Sequence, residues 1–177
     1  MSEVYAPERT GEAQSLERKY TVDWCSIGDG IDAGAAAMFV AHWEEVEIGK
    51  GEDDFQVDWP RLFELETLGY SKSFGLWWGE KLVGYSLFHV TPNIHSRHVT
   101  QGVNDVLFVE REHRGHAGVL LIRAAERLLA SIGVQWIMYN TKVGAKVGRR
   151  GNTTGDLLEK MGYRLDELVY TKMLGEK

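Results

Sequence analysis

The apolar positions of the chain alternate with polar ones in some segments and recur at helical spacing in others. Residues 19–27 alternate well enough to predict a first strand, which Gly28-Asp29-Gly30 is expected to end. Asp32 can then cap a helix that runs to about Glu47. The apolar residues at helical spacing in this helix are Ala35, Phe39, Trp43 and Val46.

The rest of the chain alternates between strand and helix patterns, with glycine, proline or polar residues at the boundaries. A polar connection over 48–57 leads to a second helix, which is expected to start near Asp58, to carry Pro60 in its first turn and to end before Gly69. The predicted strands are 74–78, 82–90, 104–109, 134–141 and 168–174. The later helices are 118–132, which Gly133 stops, and 154–161, which Gly162-Tyr163 closes. The connections are a turn over 79–81, a polar loop with two histidines over 91–102 and a basic loop over 142–152.

Strands that alternate with helices predict an α/β or α+β sandwich around one sheet. At 177 residues, the chain suits a single core, and we expect one domain over residues 19–177. Residues 1–18 are polar and charged, and are predicted to form a flexible tail without a signal segment. The apolar stretches are far shorter than the ~20 residues that a membrane helix needs, so a cytoplasmic protein is expected.

The net charge of −6 argues against a general nucleic-acid binder, because such proteins neutralise phosphates with Lys and Arg. It favours a cationic substrate such as an amine. Cys25 is the only cysteine, which excludes intrachain disulfides and metal sites that need several cysteines. Because Cys25 lies in an apolar run with no neighbouring histidine, we interpret it as a buried structural thiol rather than a nucleophile.

Residues 110–118 connect a predicted strand to a predicted helix and carry the clearest chemical signal. A turn of small residues that opens a helix exposes backbone N–H groups without helical acceptors, and the helix dipole adds partial positive charge there. Gly115, Ala117 and Gly118 leave room for a bulky anion, and Arg114 adds a full charge. The segment therefore indicates a pyrophosphate site. The alternative is a tight turn whose glycines serve geometry only; the Walker A and dinucleotide fingerprints are both missing.

Val109 followed by Arg114-Gly115-His116-Ala117-Gly118 resembles the acetyl-CoA loop of GNAT acetyltransferases, usually written R/Q-x-x-G-x-G/A. The predicted order of elements over about residues 19–174 is similar to that family as well. With Leu82-Val83-Gly84-Tyr85 and His95, the chain is most similar to the GNAT proteins of bacteriophages and prophages. The resemblance implies a GNAT fold, with a central mixed, mostly antiparallel sheet flanked by helices on both faces. It also implies an N-acetyltransferase that uses acetyl-CoA as acyl donor and no metal.

Three positions depart from the family pattern. Ala117 takes the fourth motif position, where glycine is usual, and Val119 takes the sixth, where glycine or alanine is usual. The helix end over 157–163 is similar to the family's last helix, but Leu158 stands where a tyrosine often serves as general acid. The loss of that tyrosine weakens the mechanism without abolishing it, because a thiol with a reference pKa of roughly 8.5 can leave as the thiolate.

By resemblance, Phe108 and Val109 would offer backbone groups to the pantetheine arm, laid beside the strand like an extra strand, and a nearby strand N–H would stabilise the oxyanion. Asn140 would reach the cofactor where two strands splay apart, or else would be an ordinary strand-end residue. The backbone N–H groups expected to hold the pyrophosphate belong to Arg114, Gly115, His116, Ala117, Gly118 and Val119. The basic residues Lys142, Lys146, Arg149 and Arg150 are interpreted first as a solvated loop and second as contacts of the 3′-phosphate.

The expected reaction is direct attack of an amine on the thioester, which needs a base because amines are mostly protonated at neutral pH. Asp105, near the start of the motif strand, is the first candidate for this base. Glu45 on the first helix and His95 in the predicted polar loop follow it. Further candidates are Glu44, Glu110 and His98. Each has a structural alternative as a turn cap, a solvated helix residue or a surface loop residue.

Two other functions remain open. A GNAT-like domain could retain acyl-CoA but lack catalysis and act as a regulator or interaction module, which Leu158 favours. A phage-encoded enzyme could instead modify a host macromolecule, and the acidic charge favours a basic protein over DNA as its substrate. The expected partner is thus an amine acceptor, small molecule or protein, rather than a nucleic acid or a membrane. The sequence leaves the oligomeric state open, with a homodimer as one alternative because dimers are common among similar proteins.

Overall fold

The computed structural model describes residues 19–46, 55–141, 154–167 and 169–170. They divide into two compact units, the first ending at Asn140 and the second beginning at Thr141. The described elements of the first unit are β1 (Tyr20–Trp24), α1 (Ile27–Asp32), α2 (Ala35–Val46), α3 (Trp59–Thr67), β2 (Ser71–Trp78), β3 (Lys81–Asn93), β4 (Ser96–Val109), a 3-10 turn (Arg111–His113), α4 (His116–Ser131) and β5 (Trp136–Tyr139). The second unit contains α5 (Thr154–Lys160). The expected tail over 1–18, the 142–152 loop and most of the predicted 168–174 strand lie outside the described residues, and one domain over 19–177 stays a prediction.

In the part of the chain that the structure describes, five strands form one sheet in the order β1-β2-β3-β4-β5. The strands from β1 to β4 pair antiparallel with their neighbours in sequence. β5 runs parallel to β4, because α4 carries the chain back along the sheet before β5 begins. The prediction of a mixed, mostly antiparallel sheet is confirmed.

Helices cover both faces of this sheet. α4 packs into a core whose members include Phe74, Phe88, Val109, Leu121, Ala125 and Leu129. α2 packs into a second core, whose members include Ala35, Met38, Leu82, Tyr85 and Phe108. Phe108 and Val109 are neighbours on β4 but belong to different cores, and adjacent strand residues point to opposite faces. The two cores therefore lie on opposite sides of the sheet, as the expected α/β architecture requires.

α3 and α4 confirm two of the predicted helices. The side chain of Asp58 caps α3 by accepting the N–H of Arg61 at 3.1 Å, and the helix ends at Thr67, before Gly69. α4 starts at His116, slightly earlier than predicted. It ends before Gly133, whose φ of +89° lies in the left-handed region that favours glycine.

The region between β1 and α2 differs from the prediction. Gly28, Asp29 and Gly30 do not end a strand; they lie within the short helix α1, after a strand that already ends at Trp24. The reason is a cap that the strand pattern hid: the Ser26 side chain accepts the N–H of Asp29 at 3.0 Å. α1 ends at Asp32, so that residue caps no helix, and α2 begins separately at Ala35.

The polar loop predicted over 91–102 is wrong. β3 continues to Asn93 and β4 begins at Ser96, so Ile94 and His95 form a tight turn between two long strands. The Asn93 side chain stabilises this turn by accepting the N–H groups of His95 at 2.9 Å and Ser96 at 3.0 Å. The pattern failed because a hairpin exposed to solvent needs no apolar alternation; cross-strand pairs hold it together.

Candidate functional site

β4 and β5 pair only over a short stretch and then separate. Their register runs from Gln101 opposite Trp136 to Asn104 opposite Tyr139, and in the described residues β4 continues to Val109 with a strand on its β3 side only. At the fork, the Asn140 side-chain amide lies 3.4 Å from the carbonyl oxygen of Asn104. The last residues of β4 therefore present an open backbone edge, and Asn140 lies at the point of divergence where the sequence placed it.

The alternation of peptide groups decides which residues face the open edge. The N–H of Glu110 donates to the carbonyl of Val83 on β3 at 2.9 Å. Successive peptide groups in a strand point to opposite edges of that strand. The N–H and C=O groups of Val109 and Leu107 therefore point away from β3, whereas those of Phe108 point toward Tyr85. Phe108 is therefore corrected as a source of open backbone groups. Leu107, which the sequence did not single out, takes that place beside Val109.

The open edge leads to the N-terminus of α4. Gly115 is the N-cap residue, with φ +92° and ψ −112°, and no side chain caps the helix. The earliest main-chain bond of the helix is that from the N–H of Val119 to the carbonyl of Gly115, at 3.4 Å. The amides that precede it have no helical acceptor. A Cβ built on Gly115 or Gly118 would meet nothing within 4 Å, whereas Ala117 is buried in the core. The turn is thus open to an anion rather than filled by side chains.

Arg114 is held beside this turn by two partners. Its Nε donates to the carbonyl of Val109 at 2.9 Å, and its two terminal nitrogens bind both carboxylate oxygens of Glu45 at 2.7 and 2.5 Å. The guanidinium also lies 5.7 Å from the ring centre of Phe108. These contacts join α2 to the start of α4 and place an ion pair, whose two charges compensate each other, at the residue that precedes the N-cap.

The ion pair determines the chemistry of Glu45. The hydrogen bond from Arg114 lowers the pKa of this carboxyl, against a smaller opposing effect of burial, and the pKa of Arg114 is raised by the same bond. A carboxylate with a lowered pKa that is engaged by a bidentate guanidinium is a weak proton acceptor. The structure therefore favours Glu45 as the partner that orients Arg114, and its predicted role as base receives no support.

This ion pair is expected to contribute to stability at neutral pH. Since the folded-state pKa of Glu45 is lowered, the contribution is complete above the ordinary value of 4.5 and is lost as pH falls through the lowered one. With side chains 40% and 31% exposed, we expect no more than about 1 kcal/mol. Urea unfolding of Glu45→Gln should show that deficit at pH 7 and less of it near pH 3. Glu64→Gln, in the more exposed pair with Arg61, is the control and should change stability less. An equal deficit at both pH values would contradict this explanation.

A β-bulge lies at the point where β4 leaves β5. Leu87 is opposite Val106 and Phe88 is opposite Asn104, so Asp105 is the extra residue on β4. The Asn104 side chain, 3% exposed, fixes this irregularity by donating to the carbonyls of Leu87 at 3.1 Å and Val106 at 2.8 Å. The sequence analysis missed Asn104, although a polar residue within a predicted strand was a usable signal.

Removing the Asn104 amide should destabilise the fold and displace Asp105. Asn104→Ala leaves the buried carbonyls without this donor, which we expect to cost about 2–4 kcal/mol in the free energy of unfolding. Urea denaturation measures the loss. Asn93→Ala, which removes an amide from the exposed end of the same hairpin, is the control. If both variants show the same small decrease in the free energy of unfolding, the Asn104 side chain does not fix the bulge.

Asp105 lies at the bulge of β4, next to His89 of β3. Its carboxylate is 52% exposed and lies 3.9 Å from Nε2 of His89. The pKa of the neighbouring Tyr85 phenol is raised, mainly by burial and further by the charge of Asp105. Tyr85 also lies 3.4 Å from Nδ1 of His42 on α2, and packs against Phe39 of that helix. Asp105 is thus an accessible carboxylate beside an apolar, aromatic wall.

Comparison with known proteins gives a result at the level of the fold. Neither a protein-family model nor a curated protein sequence matches this chain. An aminoglycoside acetyltransferase from an uncultured soil metagenomic sample, solved in complex with sisomicin, matches 92% of this chain and 99% of its own, with a TM-score of 0.67 and 15% identity. The ribosomal-protein-alanine N-acetyltransferase of Brucella melitensis biovar Abortus 2308 matches 88% and 99%, with a TM-score of 0.65 and 17% identity. A transcriptional regulator from Bacillus halodurans C-125 gives the same coverage, with a TM-score of 0.65 and 16% identity.

The chain has the GNAT fold. At these identities the likeness establishes the fold alone, because one fold hosts different functions. None of the comparisons supports the finer resemblance to phage and prophage proteins. Residues 109–118, over which an acyl-donor loop was predicted, run from the end of β4 to the open start of α4, and their role in binding a donor stays a prediction.

The remaining acid–base candidates lie apart from this site or are otherwise engaged. His95, at the tip of the β3–β4 turn, is separated from Asp105 along β4 by roughly 30 Å at the strand rise of ~3.4 Å per residue. The same hairpin carries His98 on its exposed half. Glu110 pairs with Lys81 at 2.6 Å, and Glu44 is exposed on α2. Among these candidates, Asp105 therefore lies on β4 near the open edge, whereas His95 lies at the far end of the same hairpin.

Other features carry less chemistry. Cys25 is buried and its pKa is raised, mainly by burial, which agrees with a structural thiol. Among the described residues, no group of three or more His, Cys, Asp or Glu side chains is arranged to hold a metal ion. No helix in that same part of the chain is long and apolar enough to span a membrane. Leu158 is buried within the second unit, and the basic residues Lys142, Lys146, Arg149 and Arg150 lie outside the described ranges.

Proposed function

We propose that this protein is an acetyl-CoA-dependent N-acetyltransferase that transfers an acetyl group to a primary amine. The observation that carries the proposal is one continuous feature of the first unit. The open edge of β4 at Leu107 and Val109 ends at the uncapped start of α4, where Gly115 and Gly118 leave the backbone accessible. A strand edge suits an amide-containing arm, and a helix start suits a pyrophosphate, so the two together suit coenzyme A.

The donor would lie along this feature. The backbone groups of Leu107 and the N–H of Val109 would pair with the amides of the pantetheine arm, since the Val109 carbonyl already accepts the Nε of Arg114. The first-turn amides of Gly115, Ala117 and Gly118 would bind the pyrophosphate, because the N–H groups of Arg114 and Val119 already donate to the carbonyls of Arg111 and Gly115. The guanidinium of Arg114 is held at this turn by Glu45. Asn140 at the fork would limit how far the arm enters between β4 and β5.

Asp105 is the residue that we assign to proton removal. An ammonium acceptor loses one proton to the Asp105 carboxylate, and the neutral nitrogen attacks the acetyl carbonyl carbon. A strand N–H at the open edge stabilises the oxyanion, and collapse breaks the C–S bond to release coenzyme A as thiolate. The nitrogen then loses its second proton to the thiolate. In the net reaction, one ammonium group and one acetyl-CoA give one acetamide, one free coenzyme A and one proton, which goes to solvent.

The acceptor would be cationic in its resting form. The accessible Asp105 carboxylate lies near Tyr85, whose ring packs against Phe39, and the chain as a whole carries a net charge of −6. Both features attract an ammonium group attached to an apolar or polyhydroxylated body. The solved neighbours named above include one that acts on aminoglycosides and one that acts on a ribosomal protein. A small polycationic amine and a protein amine are therefore the two acceptor classes to compare first.

A second candidate function is acyl-CoA binding without turnover. Leu158 in place of the usual tyrosine favours it, because the leaving thiolate then lacks that proton donor. Calorimetry with acetyl-CoA, followed by a thiol-release assay with a panel of aminoglycosides, polyamines and basic peptides, separates the two functions. We expect saturable binding and acceptor-dependent release of coenzyme A. Binding without release on any acceptor would favour the second function, and no binding at all would exclude both.

A further inference from the structure

Three polar side chains form a line across β2, β3 and β4 on the α2 face of the sheet. Ser71 and His89 are register partners on β2 and β3, and His89 is opposite Val103, close to the bulged Asp105. The Ser71 hydroxyl lies 3.2 Å from Nδ1 of His89, and Nε2 of His89 lies 3.9 Å from the Asp105 carboxylate. Both histidine nitrogens are thus directed at a polar partner.

The three side chains become more buried from Asp105 through His89 to Ser71. The Asp105 side chain is 52% exposed, that of His89 is 36% exposed, and Ser71 is 1% exposed. A buried hydroxyl paired with Nδ1 fixes the orientation of the imidazole ring. The gap of 3.9 Å between Nε2 and the carboxylate is longer than a hydrogen bond. Rotation of the half-exposed Asp105 side chain can close it, and catalytic hydrogen bonds are often long in ligand-free structures.

We propose that His89, held by Ser71, is a positioning residue that takes the proton collected by Asp105 and passes it to solvent, which keeps Asp105 ionised for the next turnover. The inference rests on the proposed acetyltransferase function. It explains why an aspartate at a strand bulge has an imidazole within reach, which neither core packing nor cofactor binding needs.

In the proposed relay, Ser71 Oγ accepts the Nδ1–H of His89, so that the lone pair of Nε2 faces Asp105. The acceptor ammonium gives one proton to the Asp105 carboxylate, and the resulting carboxylic acid gives that proton to Nε2 of His89. The imidazolium then forms an ion pair with the restored carboxylate, and it releases the Nε2–H proton to water when the half-exposed Asp105 side chain rotates away. No bond other than N–H and O–H bonds changes in these steps.

The test combines steady-state kinetics with imidazole rescue. His89→Ala should lower kcat by about tenfold to a hundredfold and leave the KM for acetyl-CoA unchanged, since His89 touches no donor-binding group. Imidazole added to the assay should restore a large part of that loss, because it fits the space left by the ring and carries the same proton. His89→Gln, which fills the space but cannot carry a proton, should be slow and insensitive to imidazole. If His89→Ala fails to fold, the kinetics of His89→Gln alone still test the proton relay.

Two controls complete the design. His98→Ala removes an exposed histidine from the same hairpin and should behave as wild type with and without imidazole. Asp105→Asn should be slow and should not respond to imidazole, because the first acceptor of the proton is gone. Full activity of His89→Gln, or a slow His89→Ala that imidazole does not rescue, would overturn the relay while wild-type turnover upholds the proposed function. If the wild-type protein turns over no acceptor, both the relay and the proposed acetyltransferase function are wrong.

Discussion

Gly115→Asp is expected to abolish detectable binding of acetyl-CoA, weakening it by at least about 100-fold. Two effects add at this position. The residue has φ +92°, a conformation that any residue with a Cβ adopts at a cost. The new carboxylate would also reach the first-turn amides of α4 and compete with the pyrophosphate for the same donors. Isothermal titration calorimetry with acetyl-CoA measures the loss directly.

Two matched variants separate these effects. Gly115→Ala introduces the backbone strain without the charge and should bind acetyl-CoA more weakly than wild type but far better than Gly115→Asp. Gly133→Asp places the same side chain at a similar φ of +89°, at the opposite end of α4, and should retain binding. If Gly115→Asp binds acetyl-CoA with wild-type affinity, the assignment of the phosphate site to this turn is wrong.

Asp105→Asn is expected to lower kcat with an amine acceptor by about 10²–10⁴-fold, the usual loss when a general base is removed. The amide has nearly the same shape as the carboxylate, so the bulge and its Asn104 hydrogen bonds should persist. Binding of acetyl-CoA should therefore be unchanged by calorimetry, which separates a chemical effect from a folding defect. Loss of kcat without loss of donor affinity is the expected pattern.

The control for this experiment is Asp32→Asn. It removes the same charge from an exposed position at the end of α1 and should leave both kcat and donor affinity unchanged. Should Asp105→Asn retain at least half of the wild-type kcat across the acceptor panel, proton removal must depend on another group or on water, and both Asp105 and the His89 relay would lose their roles.

The donor side of the site was more predictable than the acceptor side, and the reason is local. The exposed amides at the start of α4 follow from a strand, a few small residues and a helix that are contiguous in sequence, so residues 109–118 indicated them without any knowledge of packing. The position of Asn140 at the fork came from the family resemblance, and the structure places the residue there. The roles of these residues in binding acetyl-CoA stay predictions.

The acid–base candidates were harder to rank, because their roles depend on which distant residues meet. Glu45 and Arg114 are far apart in sequence, yet they form the bidentate pair that makes the carboxylate a weak base. His95 is a candidate for the base only if 91–102 is a loop, and the extended hairpin instead places it at the far end of β4 from Asp105. His89 lies within the predicted 82–90 strand, and only the register of three strands places it between Ser71 and Asp105.

The sequence by itself determined the alternation of strands and helices, the phosphate-type turn at Gly115 and the single buried thiol, since each depends on residues that are neighbours in the chain. The tertiary structure alone decided the bulge that presents Asp105, the orientation of Leu107 rather than Phe108 toward the open edge, and the Glu45–Arg114 pair. Each of these depends on strand register or on contacts between distant segments, and a one-residue change of register reverses which side of a strand a group occupies.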